Sequence, residues 1–186
     1  MPFRTRHRLL LGTVVALAAL AACSPAPTPE PSSAAEPVIS ADEQGLFRLE
    51  LELPKATYAA GEPIEGVARL RYAGQGGVEV AGAAGGLIGF SLLDVDGPRD
   101  VGGGQDAACA PYGLDPANPI TTTLAKSGGY SPDDPADDFI EAFLNDPIYR
   151  LPAGTWEIQA WTNFLGQGCT PPETRLSTSV RITVTD

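Results

Sequence analysis

The sequence predicts an all-β domain: an antiparallel two-sheet β-sandwich with an irregular disulfide-tied insert and one short helix. Three observations carry this. Apolar residues from position 46 onward recur with period two rather than the helical 3.6. Clusters of Gly, Pro and Asp bound seven or so short runs at roughly the ten-residue spacing of sandwich strands. Cys109 and Cys169 form an even pair within the region that lacks regular alternation at one end. Residues 46–186 suit a single domain of ordinary size.

Each element follows from local pattern. Phe47, Leu49, Leu51 and Leu53 alternate with Arg48, Glu50 and Glu52, the signature of a half-buried strand, and Pro54 ends it. After Gly61-Glu62-Pro63, the run Ile64 to Tyr72 sets Ile64, Ala68, Leu70 and Tyr72 on one face and Glu65, Arg69 and Arg71 on the other. Val78 and Val80 mark a third strand. Leu87 to Leu93 is a fourth, with Ile88, Phe90 and Leu92 inward, and Asp96-Gly97-Pro98 breaks it. From Asp100 to Pro135 the alternation loosens, leaving one strand at Ile120 to Leu124. Asp137 to Leu144 reads as a short helix, because Phe139, Ile140, Phe143 and Leu144 share a face at helical spacing. Leu151-Pro152-Ala153-Gly154 turns into a strand at Trp156 to Ala160. The last strand is Ser179 to Thr185, with Val180, Ile182 and Val184 on one face.

Two stretches resemble a known domain type. Tyr58-Ala59-Ala60-Gly61-Glu62-Pro63-Ile64 is similar to the opening of bacterial immunoglobulin-like and macroglobulin-type domains. Leu151-Pro152-Ala153-Gly154-Thr155-Trp156-Glu157-Ile158-Gln159-Ala160 resembles their penultimate strand, where an aromatic packs between the sheets. The resemblance implies an immunoglobulin-like β-sandwich and a binding or structural role. The first stretch is also similar to a bacterial proteinase-inhibitor family of the same architecture, which makes an extracytoplasmic proteinase inhibitor the alternative function.

The N-terminus carries an export pattern. Arg4, Arg6, His7 and Arg8 precede an apolar run from Leu9 to Ala22, too short to span a bilayer comfortably. It ends in Leu20-Ala21-Ala22-Cys23, which resembles the lipobox of bacterial lipoproteins. That resemblance implies a signal peptide over 1–22, cleavage before Cys23, and acylation of Cys23 as the membrane anchor. Ser24 after the cysteine resembles lipoproteins sent to the outer membrane of two-membrane bacteria. Residues 23–45, with Pro25, Pro27, Pro29, Pro31 and Pro37 among Ser, Ala and Glu, read as an extended tether.

Composition then narrows function. Removing Arg4, Arg6 and Arg8 with the signal peptide leaves nine cations against 23 acids, a formal charge of −14. That charge opposes nucleic-acid binding and any electrostatic hold on anionic lipid, so the membrane partner is reached through Cys23. The only histidine, His7, lies in the segment to be removed. Histidine-dependent triads and histidine metal sites are thereby excluded, while carboxylate-only and Ser-Lys chemistry survive. The chain is read as a non-enzyme with no cofactor, a carboxylate-only carbohydrate enzyme being the remoter alternative. Cys109 and Cys169 are expected to form a disulfide, which the loop-entropy model values at about 4 kcal/mol; two buried free thiols are the alternative.

Candidate sites are few. Asp133, Asp134, Asp137 and Asp138 form the densest carboxylate cluster, the donor type calcium requires, although their spacing is not that of an EF-hand loop. A solvated acidic face is the preferred reading. Asp94, Asp96 and Asp100 around Gly97 offer a second acidic loop, read as an ordinary turn. Trp156 and Trp161 differ by an odd number and so face opposite sides of one strand. Trp156, in phase with Ile158, is assigned to the core. Trp161 is left for the other face, beside Tyr149 or Phe164, either as an aromatic platform for a glycan or protein partner or covered by the insert.

Overall fold

The structure, a computed structural model, describes residues 36–104, 109–129 and 136–186. They form the predicted all-β sandwich. Its strands are β1 (Val38–Gln44), β2 (Phe47–Leu53), β3 (Thr57–Ala59), β4 (Val67–Tyr72), β5 (Val78–Gly82), β6 (Ile88–Asp94), β7 (Asp100–Val101), β8 (Ala110–Leu114), β9 (Ile120–Thr123), β10 (Gly154–Gly166) and β11 (Thr170–Thr185). A single described helix, α1 (Asp137–Asn145), precedes β10. One sheet has the order β1-β2-β4-β9. The other runs β3-β11-β10-β5-β8, with β6 also pairing β10 and β7 pairing β6. All pairings are antiparallel except β3 with β11.

The alternation read from the sequence decides which side chains meet. Leu49, Leu51 and Leu53 of β2 and Ala68 and Leu70 of β4 are fully buried. They face Trp156, Ile158 and Ala160 of β10 and Val180, Ile182 and Val184 of β11 across the core. The opposite face of β2 and β4 is a charged ladder in which Arg69 pairs with Glu50 and Glu52, and Arg48 with Glu43 and Glu50. Opposite charges on neighbouring strands stabilise an exposed sheet face modestly.

Three boundaries differ most from the sequence reading. The first strand begins inside the stretch assigned to the tether: β1 pairs along its whole length with β2. Beyond Val38 its half-buried positions, Ser40 and Asp42, are polar, so hydrophobic alternation does not mark it. These residues and Gln44 are held by hydrogen bonds to β11. Asp42 Oδ2 accepts from the Ser177 N–H (3.0 Å), Gln44 Oε1 accepts from the Arg175 N–H (3.0 Å), and Thr178 donates to Ser40 (2.8 Å). β10 continues past Ala160 to Gly166, and β11 starts at Thr170 rather than Ser179. Inward positions Thr162, Thr174 and Thr178 are polar by letter, yet all three are buried. β-branched threonine fits a pleated, buried face, and this obscured the period.

The ends of the sandwich are tied down. Glu62 accepts from the Ala59 N–H (3.0 Å) and pairs with Lys55, while the Ile64 N–H donates to Tyr149 O (2.8 Å). This fixes the turn Tyr58 to Ile64 against the segment before β10. Helix α1 lays Ile140 and Phe143 into the core. Lys126 holds its C-terminus, donating to Phe143 O and to Asp146 O (2.6 Å), a favourable end for a cation on a helix. Cys109, just before β8, is paired with Cys169 in the 3₁₀ turn Gln167–Cys169 between β10 and β11, with Cα atoms 6.1 Å apart. The expected pairing thus joins the insert to the β10–β11 turn.

Candidate binding site on the outer face of the larger sheet

Odd-numbered residues of β10 point away from the core. Register brings them into rows with β6 and β11: Glu157 lies beside Leu93 and Arg181, Gln159 beside Ser91 and Ser179, and Trp161 beside Gly89 and Ser177. Asp100 of β7 extends the first row, next to Leu93. A groove of about 500 Å³ runs over these rows, bounded by Asp100 and Glu157 at one end and Trp161 at the other. That volume lies within the range of small-molecule sites.

Trp161 is shaped by two glycines. A Cβ on Gly89 would fall 2.6 Å from Cζ2 of the indole, and one on Gly103 would fall 2.8 Å from Nε1. Any side chain at either position would collide with the ring. The indole therefore lies close over Gly89 of β6 and reaches Gly103 beyond β7, and it is half-buried where it borders the groove. The sequence placed Trp161 on the correct face but beside Tyr149 or Phe164. Both of those are buried, Phe164 on the core side of the same strand and Tyr149 against Phe143. The glycines were the missed signal: a Trp opposite Gly on a paired strand has room to lie down.

The floor between the two ends is a hydrogen-bonded relay. Ser91 Oγ donates to Gln159 Oε1 (2.9 Å), and Gln159 Nε2 donates to Ser177 Oγ (2.8 Å). The amide is thereby held in one orientation. Leu93 is 43 % exposed, one of four large apolar side chains so open among the described residues. Arg181 pairs with Glu157 (3.3 Å) from the far strand. Among the described residues lining the groove, the charged side chains are the acids Asp100 and Glu157.

A second cavity, of about 480 Å³, lies where α1 meets the turn after β6 and is bordered by Asp96, Asp138 and Phe139. Behind it the Asp94 carboxylate is buried and ion-paired with Arg99. The Arg99 guanidinium stands 4.5 Å from the Trp156 ring centre and 5.2 Å from that of Phe139, and the two rings stack at 5.4 Å. Trp156 is fully buried, as expected, and its Nε1 donates to Pro152 O (3.0 Å). Its aromatic neighbour comes from α1, so this tryptophan closes one end of the sandwich. Asp94, Asp96 and Asp100 do not converge on one site: Asp94, ion-paired with Arg99, and Asp96 both border this cavity, whereas Asp100 lines the groove. They form the turn the sequence favoured.

Of the four-aspartate cluster, Asp133 and Asp134 lie outside the described residues, as does the Asp137 side chain, and Asp138 sits in the first turn of α1. Among the described residues no group of three His, Cys, Asp or Glu is arranged to hold a metal ion. Lys126 and Ser127, adjacent in sequence, serve structure: the lysine holds the helix end, and Ser127 donates to Phe90 O (2.8 Å). Burial lowers the Lys126 pKa and raises that of Tyr149. Cys23 lies outside the described residues; within them no helix is long and apolar enough to cross a membrane. Comparison with protein-family models, curated proteins and solved structures returned no match.

Proposed function

We propose that the chain is a cell-envelope lipoprotein whose β-sandwich is a binding module, working through the outer face of the larger sheet. One observation carries the binding role: Trp161 borders a groove lined by Ser91 and by the Gln159 amide, which hydrogen bonds hold in one orientation. Aromatic surface next to fixed polar groups is the usual composition of a recognition surface. The lipobox-like Leu20-Ala21-Ala22-Cys23 supports the envelope assignment, with Cys23 carrying the lipid and the Pro-rich segment after it acting as a spacer. In this reading the module faces outside the cytoplasm and transforms nothing.

Two measurements test it. Metabolic labelling with a fatty acid should mark the parent and not Cys23→Ser; equal labelling overturns the anchor. The purified full chain should be retained by envelope material of the producing cells, and Trp161→Ala should reduce that retention. Equal retention of parent and variant overturns the binding face.

A further inference from the structure

Resting on that reading of the outer face, we infer that the groove takes a neutral oligosaccharide, stacked on Trp161 and hydrogen-bonded along Ser91 and Gln159. A sugar ring has a face of C–H groups and a rim of hydroxyls. The groove offers the matching pair. Where it borders the groove the half-buried indole presents a flat apolar surface, and the exposed Leu93 continues it. Along β6, Leu93, Ser91 and Gly89 beneath the indole span about 13 Å at the usual rise per residue, so an extended chain fits better than a single ring.

The polar groups suit hydroxyls, which both donate and accept. Gln159 and Ser91 are already locked to one another and to Ser177, so binding orders little that is not already ordered. Asp100 and Glu157 add acceptors at the end remote from the tryptophan. Their charge also decides against anionic ligands. Among the described residues none of the groove's lining groups is a cation, and Arg181 beside it is engaged by Glu157. Phosphorylated or uronic-acid polymers would meet carboxylates with no compensating cation.

A peptide fits less well. The strand at the centre of the groove, β10, is paired on both sides, with β6 and β11, so it offers no edge for an added strand. Nor does the groove present a closed apolar pocket for an anchoring side chain, since its apolar groups are an open Leu93 and a half-buried indole.

The test uses the full chain in detergent micelles. Soluble oligomers of glucose, mannose, xylose and N-acetylglucosamine form the neutral arm, and polygalacturonate forms the anionic arm. Binding is read by calorimetry and by tryptophan fluorescence, with the buried Trp156 as constant background. At least one neutral oligomer should bind and perturb the fluorescence, and polygalacturonate should not. Trp161→Ala should weaken that binding by about tenfold or more, as truncation of a central aromatic anchor does. Gln159→Ala, on the exposed face and away from the core, should weaken it by about threefold or more while leaving the melting temperature unchanged. Asp96→Asn, in the other cavity, should change nothing. Should Trp161→Ala also lower the melting temperature, Gln159→Ala and Trp161→Phe decide, the latter keeping a smaller platform and part of the affinity. The inference falls if no neutral oligomer binds, if polygalacturonate binds better, or if neither Gln159→Ala nor the Trp161 variants alter binding. Trp161-dependent retention on envelope material without oligosaccharide binding would overturn the ligand class and leave the binding module standing; failure of both would overturn both.

Discussion

Arg99 shows how one side chain can join two kinds of interaction. Its guanidinium neutralises a buried carboxylate on Asp94 and lies against the rings of Trp156 and Phe139. Replacing it by methionine keeps much of the apolar contact and removes the charge. A buried carboxylate left without its partner is costly, so Arg99→Met should lower stability by about 2–4 kcal/mol, the quarter exposure of Arg99 holding it to the lower part of the range for buried pairs. Adding Asp94→Asn to Arg99→Met should recover part of that loss; denaturant titration of the two single variants and the double measures the coupling. A double variant less stable than Arg99→Met alone would mean that Asp94 is held by other groups. Tyr149 supplies a pH effect of definite sign. Burial raises its folded-state pKa above the ordinary 10.0 of the unfolded chain. Below pH 10 both states keep the proton. Above it the unfolded chain releases the proton while the folded chain retains it, so stability falls as pH rises. The Tyr149→Phe variant should lack this loss, separating from the parent by up to about 1.4 kcal/mol per pH unit above pH 10. Parallel stability curves for parent and variant over that range would show that Tyr149 ionises freely in the fold.

At the scale of elements, legibility followed chemistry. β2, β4 and β6 were plain because their inward residues are Leu, Ile, Phe and Ala. The short helix was plain because Phe139, Ile140, Phe143 and Leu144 share a face. β1 and the first half of β11 were hidden because Ser40 and Asp42 of β1 and Thr174 and Thr178 of β11 put polar side chains into the inward rows, where Val38 and Leu176 alone do not make a visible period. The candidate groove was half legible: parity put Trp161 outside, whereas Gly89 and Gly103 beneath it required knowledge of strand pairing. The β1 seam has a direct consequence. A fragment beginning at residue 46 would expose the edge of β2 and strip the Arg175 and Ser177 N–H groups of their acceptors. It should melt lower than a fragment beginning at residue 36 and associate more readily, since a bared strand edge is a template for pairing. Equal melting temperatures and equal monomer content in sedimentation would make β1 dispensable. Helix α1 carries the other element-scale expectation. Asp138 lies in its first turn, where the helix dipole favours acidic groups. Calcium, magnesium and extra sodium at matched ionic strength should therefore shift the melting temperature alike. A saturable, calcium-selective rise abolished by Asp134→Asn with Asp138→Asn would instead make the aspartates a metal site.

Across the whole molecule, one bond links regions that the sheets leave apart. Among the described residues β8 pairs with the rest of the larger sheet only through β5, and β5 meets β10 over just two residue pairs, Leu165 with Ala81 and Gly166 with Val80. That corner is thus thinly held by backbone pairing. Cys109 and Cys169 sit at its two sides, one at the start of β8 and one in the turn between β10 and β11. Closing a loop of 60 residues is worth about 4 kcal/mol in the chain-entropy model, as an upper figure, because the reduced unfolded chain regains that freedom. The stabilisation belongs to the global unfolding step, but its local effect should be uneven. Opening the bond frees the β5–β8 corner, whereas β2, β4 and the paired length of β10 with β11 keep their full ladders and core contacts. Non-reducing mass spectrometry should find no free thiol at either position in the freshly isolated protein. Cys109→Ala with Cys169→Ala should lower global stability by up to about 4 kcal/mol. Hydrogen exchange should rise most in Val78–Gly82 and Ala110–Leu114 and least in Trp156–Ala160. Uniform acceleration across both sheets would show that the corner and the core open together, and two free thiols in the freshly isolated protein would remove the link altogether.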